Sequence, residues 1–209
     1  LLIAFNYLLG KVFPPGVVAA LLIALEVLVA GGLHMDGLMD TADGLMGSRE
    51  REKSLLIMRD SRVGAMGAMA AVLVLLVKWT LIAAVLDSGQ EKIVLAALLL
   101  MPTLGRYAMV IGLYLFPYAR SEEGLGRVFA AGTGRLQLFV ASVWALAACW
   151  YWGGVFGLWT IFGVILFTSA LSYYMAGRLG GLTGDTYGTL EELGEVVCLL
   201  LIVGLLGMY

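Results

Sequence analysis

Residues 64–86 read GAMGAMAAVLVLLVKWTLIAAVL, an apolar run interrupted by one charged residue, Lys78. A bilayer core about 30 Å thick needs roughly 20 apolar residues in a helix, because backbone polar groups find no water there. This run therefore predicts a transmembrane helix. Similar runs predict spans at Val17–Leu33, Ile93–Phe116, Leu136–Trp152, Val155–Ala176 and Val196–Tyr209, with a partial one at Leu1–Gly10. We expect an all-α, polytopic transmembrane bundle of about six to seven spans.

The composition of the 209-residue chain also indicates a membrane protein. Hydrophobic residues make up 61% and charged residues 13%, whereas soluble domains have about 45–50% and 25%. The net charge of −2 gives no sign of a nucleic-acid partner. Because the predicted spans fill nearly the whole chain, residues 1–209 are expected to form a single integral-membrane domain surrounded by lipid.

The charges between the spans predict which side of the membrane carries the polar segments. Four predicted crossings separate Asp43 from Asp185, so both residues should lie on the same side. The loops of that side carry nine basic residues: Arg49, Arg51, Lys53, Arg59, Arg62, Arg120, Arg127, Arg135 and Arg178. The opposite loops carry only Lys11 and Lys92. By the positive-inside rule, the shared side should face the cytoplasm from the cell (inner) membrane.

An Asp-rich segment follows the Val17–Leu33 run, and residues 34–48 read HMDGLMDTADGLMGS. Asp36, Asp40 and Asp43 are spaced i, i+4 and i+7, which places them on one stripe of a helix that continues the apolar span. Three clustered carboxylates favour a hard cation, Mg²⁺ or Mn²⁺. The alternative is an interfacial helix whose aspartates face water. His34, the only histidine, is expected in the turn before this helix, in either a catalytic role or a structural capping or hydrogen-bonding role.

Gly37 and Gly44 each follow an aspartate of this segment and should leave room for a phosphate to approach the backbone. Residues 58–64 read MRDSRVG, in which the pair Arg59 and Arg62, spaced i, i+3, offers two guanidinium groups to phosphate oxygens. Asp60 could bind metal or orient an arginine. The alternative is a helix start whose arginines reach the membrane surface.

Two further polar segments lie on the predicted active side. Residues 118–129, YARSEEGLGRVF, contain Arg120 as a phosphate contact and Glu122 or Glu123 as contacts to a sugar or base. Residues 178–195, RLGGLTGDTYGTLEELGE, place Asp185 in a glycine-rich turn next to a ligand, with Glu192 and Glu195 on one helical face beyond it.

Three ionisable residues fall inside predicted spans: Glu26, Lys78 and Arg106. Such residues are costly in lipid unless they are paired or face a cavity. We expect Glu26 and Lys78 to pair within the bundle or to reach its surface, and Arg106 to extend towards the site.

Four blocks, GGLHMDGLMDTADGL, IMRDSRVGAMG, YARSEEGLG and LGGLTGDTYGTLEELGE, resemble the adenosylcobinamide-GDP ribazoletransferase (cobalamin synthase) family in order and spacing. The resemblance covers nearly the whole chain, without the family's N-terminal segment. It implies that adenosylcobinamide-GDP reacts with α-ribazole, or its 5′-phosphate, to give adenosylcobalamin, or its 5′-phosphate, and GMP. It also implies a requirement for Mg²⁺. Association with further copies of the chain is left open.

The expected chemistry gives each candidate residue a role. Asp36, Asp40 and Asp43, with Asp60, would hold metal, while arginines would grip the diphosphate. Asp43 or Asp185 would act as the base, with His34 a further catalytic candidate. The substrate-binding candidates are Arg59, Arg62, Arg120, Arg106, Glu192 and Glu195.

Three other functions use similar residues and are weighed against this one. A membrane prenyltransferase fits poorly, because the GGLTGD segment contains a single Asp. A CDP-alcohol phosphotransferase fits poorly, because Leu38-Met39-Asp40-Thr41 follows Asp36-Gly37 where that motif needs Ala-Arg. A cation transporter would place ionisable residues at mid-span depth, whereas the aspartates cluster at one face.

Overall fold

The computed structural model describes residues 1–120 and 124–205, and within these ranges the secondary structure is helical, without a β-strand. The helices are α1 (Leu2–Leu9), α2 (Pro15–Val29), α3 (Leu33–Gly47), α4 (Arg51–Ile57), α5 (Ala65–Asp87), α6 (Glu91–Leu115), α7 (Leu125–Gly132), α8 (Arg135–Leu179) and α9 (Gly184–Leu205). Among the described residues, α5, α6 and α8 are each long and apolar enough to cross a membrane, and α2 with α3 would make a fourth such element. The predicted all-α membrane architecture is confirmed, while the number of six to seven crossings stays a prediction.

The Asp-rich helix does not continue the apolar run before it, so the expectation that it prolongs the Val17–Leu33 span as one helix is wrong. Helix α2 ends at Val29, and the chain bends by 88° before α3. Gly31 and Gly32 make this bend with φ values of 62° and 73°, a left-handed conformation that side chains disfavour. The 15 residues of α2 reach only roughly 22 Å at 1.5 Å per residue. The bend turns α3 across the end of α2.

The two predicted spans Leu136–Trp152 and Val155–Ala176 both lie in α8, which reverses direction at Gly154. Gly154 has φ 54° and ψ −135°, outside the helical region. Just beyond it, Gly157 lies against the backbone carbonyl of Cys149, too close for a side chain on Gly157. In a straight helix, eight residues would separate these positions by about 12 Å. The reversal therefore forms a helical hairpin.

Two glycines let the backbones of α3 and α9 touch. A Cβ atom on Gly37 would lie 2.7 Å from the Asp185 carbonyl oxygen, and one on Gly188 would lie 2.8 Å from that of His34. Thr189 Oγ1 also donates to the Gly37 carbonyl across the same contact (3.2 Å). The expectation that Gly37 makes room for phosphate is therefore wrong, and Gly44 likewise packs against Met58 and Ser54. These glycines bring the Asp-rich helix against α9.

Replacing Gly188 with alanine should destabilise the protein by about 1–3 kcal/mol, because a methyl group there meets backbone atoms that cannot move aside. Thermal unfolding of detergent-solubilised protein measures this as a lower melting temperature. Gly177→Ala is the matched control, since an added Cβ on this helical glycine meets no atom within 4 Å. The control should be neutral or stabilising by up to about 1 kcal/mol. A Gly188→Ala protein that melts at or above the wild-type temperature would contradict this packing.

Hydrogen bonds between loops join the same end of the bundle. Ala119 N–H donates to the Leu182 carbonyl (2.7 Å), and Leu182 N–H donates to the Pro117 carbonyl (2.8 Å). Arg51 donates to the carbonyls of Leu179 and Ala119 at 2.7 and 3.1 Å. The segment before Arg120 is thereby fixed beside the start of α9.

Candidate active site

The three aspartates of the Asp-rich segment lie on α3, as their spacing predicts. This helix begins at Leu33, so the expectation that His34 precedes it in a turn is wrong, and His34 lies in the first helical turn. Asp40 is half-buried, and the carboxylates of Asp185, Asp36 and Asp43 all act on it electrostatically. Helix α3 thus directs a concentrated negative charge towards α9.

A cavity of about 370 Å³ opens where α3, the start of α9 and the loops meet. Residues from all four sequence blocks line it. The polar ones are His34, Asp36, Arg59, Tyr118, Arg120, Asp185 and Tyr187. The expected meeting of Asp36 with Asp185 on one face is therefore observed. Acids, two arginines and a histidine around a single cavity are side chains of the kinds that can bind metal and phosphate.

Arg120 and Asp185 form the central ion pair of this cavity. Arg120 Nη2 donates to Asp185 Oδ2 at 2.8 Å, and the Thr183 hydroxyl donates to the same oxygen at 3.3 Å. Burial raises the pKa of Asp185 from its ordinary value, while Arg120 and Thr183 oppose the rise by binding the carboxylate. Arg120 Nε and the Tyr187 hydroxyl have no hydrogen-bond partner among the described residues. Both atoms are buried.

Asp43 lies at the other end of the stripe and serves a structural purpose. Its Oδ2 accepts the Gly64 N–H (2.7 Å) and its Oδ1 accepts the Gly67 N–H (2.8 Å). These are unpaired N–H groups at the start of α5, where a negative charge is favourable. Both oxygens of Asp43 are thus engaged, which makes it a weaker candidate for metal ligand or base than the sequence suggests.

A second cavity, of about 430 Å³, lies beside Asp43 and is lined by Asp60 and Arg62. Arg62 donates to Asp60 (2.6 Å) and lowers the pKa of that carboxyl to about 2. Arg59 lines the first cavity and Arg62 the second, so the structure does not bring the two arginines to one cavity as the sequence led us to expect. Helix α4 ends at Ile57, and the i, i+3 spacing beyond it does not define a shared helical face.

Behind the first cavity lies a buried network of ion pairs. Lys78 Nζ, 1% exposed, donates to Glu26 and Glu192, both at 3.1 Å, and to Glu195 at 2.5 Å. The three ammonium hydrogens therefore have three carboxylate acceptors. Arg106 contacts Glu195 at 2.5 Å and also Glu191. The expected pairing of Glu26 and Lys78 within the bundle is confirmed.

This network changes the roles of three residues assigned to substrate binding. Glu192 and Glu195 are 4% and 0% exposed, and their carboxylates already bind Lys78 and Arg106. Their burial argues against direct substrate contact and favours a structural role. Arg106 retains 40% side-chain exposure, but its guanidinium is committed to Glu191 and Glu195.

Sequence reasoning missed Glu191, which lies between the network and the cavity. Its Oε2 is 3.1 Å from His34 Nδ1, and its side chain is 1% exposed. The signal was present in the helical spacing, since Gly188, Glu191 and Glu195 share one face of α9 at i, i+3 and i+7. Glu122 and Glu123, the expected sugar or base contacts, lie outside the described residues.

Comparison with known proteins gives one consistent result. The sequence model of the cobalamin-5-phosphate synthase family matches residues 1–203. The adenosylcobinamide-GDP ribazoletransferase of Brevibacillus brevis is 41% identical over 92% of this chain and 76% of its own length. Those of Desulfitobacterium hafniense and Geotalea daltonii are 44% and 36% identical, over 90% and 100% of this chain and 74% and 82% of their own lengths. No solved structure is significantly similar.

Proposed function

The chain belongs to the cobalamin-5-phosphate synthase family, and we propose that it joins adenosylcobinamide-GDP to α-ribazole or its 5′-phosphate. The products are adenosylcobalamin, or its 5′-phosphate, and GMP. The observation that carries this proposal is the single cavity in which Asp36, Arg59, Arg120 and Asp185 meet. These groups have the charges and the hydrogen-bond donors that a transfer between phosphates requires.

Arg120 and Arg59 are the residues that we propose to bind the diphosphate. Arg120 is held by Asp185 through Nη2, and we propose that the N–H groups of Nη1 donate to phosphate oxygens. A guanidinium positioned in advance binds the charge that develops on the departing GMP without reorganising at the moment of reaction. Tyr118 and Tyr187, whose rings stack with centroids 6.5 Å apart, supply an apolar wall to the same cavity.

Asp36, Asp40 and Asp185 form the donor set that we propose to hold Mg²⁺, with Mn²⁺ as a substitute. The fit rests on chemistry, because the set consists of hard carboxylate oxygens and Asp40 is surrounded by like charges. When bound, the ion would neutralise diphosphate oxygens. Asp43 and Asp60 have other partners in helix capping and in the Arg62 ion pair, and we leave them outside this set.

His34 is the base that we propose for the acceptor hydroxyl, because it lines the cavity and its Nδ1 lies against Glu191, which leaves Nε2 as the second nitrogen of the ring. The ribazole hydroxyl oxygen forms a bond to the phosphorus that carries cobinamide, and the bond from that phosphorus to the bridging oxygen breaks. GMP leaves with the bridging oxygen. The hydroxyl proton passes to His34.

The distribution of basic residues favours a reaction on the cytoplasmic side of the membrane. The helices identify a membrane protein, and we propose the cell (inner) membrane with the cavity facing the cytoplasm. The support is the excess of basic residues on the side of Arg59 and Arg120. Lipid would then surround the bundle, and self-association stays a prediction.

Purified protein in detergent tests this function directly. With adenosylcobinamide-GDP, α-ribazole and Mg²⁺, GMP and adenosylcobalamin should form in equal amounts. Removing metal with EDTA should lower the rate by at least about 100-fold, and added Mg²⁺ or Mn²⁺ should restore it. GMP release that needs no ribazole would indicate a hydrolase instead. A full rate in EDTA would eliminate the metal assignment but leave the transferase assignment intact.

A further inference from the structure

His34 and Glu191 form a pair that connects the cavity to the buried ion network. His34 Nδ1 lies 3.1 Å from Glu191 Oε2, a hydrogen-bonding distance. The His34 side chain is 16% exposed and lines the cavity, whereas Glu191 is 1% exposed behind it. The imidazole therefore has one nitrogen directed into the protein and the other ring edge available to the cavity.

Glu191 is held in place from two directions. Its Oε1 contacts the Arg106 guanidinium, so the carboxylate cannot turn towards the cavity without losing that partner. One helical turn earlier, Gly188 packs against the His34 backbone so closely that a Cβ would lie 2.9 Å from His34 Cα. The glycine contact fixes the backbones, and Arg106 fixes the carboxylate. These two contacts together set the distance between the Glu191 carboxylate and the His34 imidazole.

We propose that Glu191 is a positioning residue, which keeps the proton of neutral His34 on Nδ1 and so presents the Nε2 lone pair to the acceptor hydroxyl. The reason is that an ionised carboxylate only accepts hydrogen bonds, so the nitrogen facing it must donate. A neutral imidazole has one donor nitrogen and one acceptor nitrogen. Fixing Nδ1 as the donor makes Nε2 the acceptor. This inference rests on the proposed function for the identity of the hydroxyl.

The other glutamates of the cluster do not share this role. Glu192 and Glu195 bind Lys78, and Glu26 binds it from α2. Of these four glutamates, Glu191 is the one whose carboxylate lies within hydrogen-bonding distance of the His34 ring. A purely structural ion pair would hold the ring in place but would not require the neutral Nδ1–H form.

Nuclear magnetic resonance of the ring nitrogens tests the proposal, because the chain has a single histidine. Protein labelled with ¹⁵N-histidine and purified on a histidine-free tag gives signals from His34 alone. At a pH where the ring is neutral, the wild type should carry its proton on Nδ1. Glu191→Ala should move the proton largely to Nε2, the form that free imidazole side chains prefer in water. A wild-type ring protonated on Nε2 would overturn the proposal.

Matched variants separate positioning from folding. Glu191→Gln keeps the side-chain shape but has one acceptor oxygen for two donors, Arg106 and His34 Nδ1–H, so it should shift part of the His34 proton to Nε2 and lower kcat less than Glu191→Ala does. Glu192→Gln, next to it on α9, should leave the His34 signal unchanged. Glu191→Ala should lower kcat by about 100-fold with KM within about twofold. If the wild type shows the Nδ1–H signal but has no transferase activity, the His34–Glu191 geometry stands and only the proposed function is wrong. Unchanged kcat in Glu191→Ala would defeat the positioning role.

Discussion

Asp40→Asn should reduce the rate of GMP release by about 10²–10³-fold. A loss of this size is typical when an enzyme loses one group that stabilises the charge of the transition state. Asp40 is the half-buried centre of the acidic cluster, with Asp36, Asp43 and Asp185 around it. An amide of the same shape keeps the helix but removes a charged ligand for the metal. The loss should appear in kcat/KM at saturating Mg²⁺.

The same substitution should raise the stability of the metal-free protein, because it relieves repulsion among like charges. We expect the melting temperature in EDTA to increase by roughly 2–4 °C, equivalent to about 1 kcal/mol. The increase that Mg²⁺ produces in the wild type should shrink in the variant. Asp87→Asn, at the exposed far end of α5, is the control. It should change neither the melting temperature in EDTA nor the increase that Mg²⁺ produces. A variant that loses activity together with stability would point to misfolding instead of lost metal binding.

Lys78→Met should destabilise the protein by about 3–5 kcal/mol, because it leaves buried carboxylates without their cation. Lys78 is 1% exposed and binds Glu26, Glu192 and Glu195. Methionine matches the side chain in length, so the loss comes from charge more than from packing. We expect a melting temperature lower by roughly 10 °C or more in detergent, together with reduced yield from the membrane.

Lys92→Met is the control for this prediction, since Lys92 is exposed near the start of α6. It should melt within about 2 °C of the wild type, as most surface substitutions do. If Lys78→Met fails to accumulate, the double variant Lys78→Met, Glu195→Gln should partly recover, because it buries one negative charge fewer. Normal melting of Lys78→Met would show that the glutamates do not need this cation.

The sequence predicted the parts of the fold that depend on local pattern. Long apolar runs identified α5, α6 and both halves of α8. A single segment in the hydrocarbon core can pair its backbone N–H and C=O groups only by forming a helix. The spacing of Asp36, Asp40 and Asp43 placed them on one helical stripe, and the count of crossings placed Asp185 on the same side. These inferences need only periodicity and length.

Errors arose where a backbone turn interrupts the pattern. Gly31 and Gly32 separate α2 from α3 by a bend of 88°, although the apolar residues run on without a gap. The end of α4 at Ile57 sends Arg59 and Arg62 to different cavities. The glycine-rich turn expected around Asp185 is mostly helix, since α9 begins at Gly184. Glycine permits several backbone conformations, and the neighbours choose among them.

The amino-acid sequence by itself determined that this is a helical membrane protein with acids and arginines gathered on one side. Only the tertiary structure decided which partner each charged side chain has. Asp43 binds the start of α5, Lys78 binds three glutamates, and Glu191 contacts the imidazole of His34. The physical reason is that side chains on one helix are related by a fixed period, whereas contacts between helices depend on where the backbones cross. In this protein the crossing of α3 and α9 is set at Gly37 and Gly188, where the absence of a side chain lets two backbones meet.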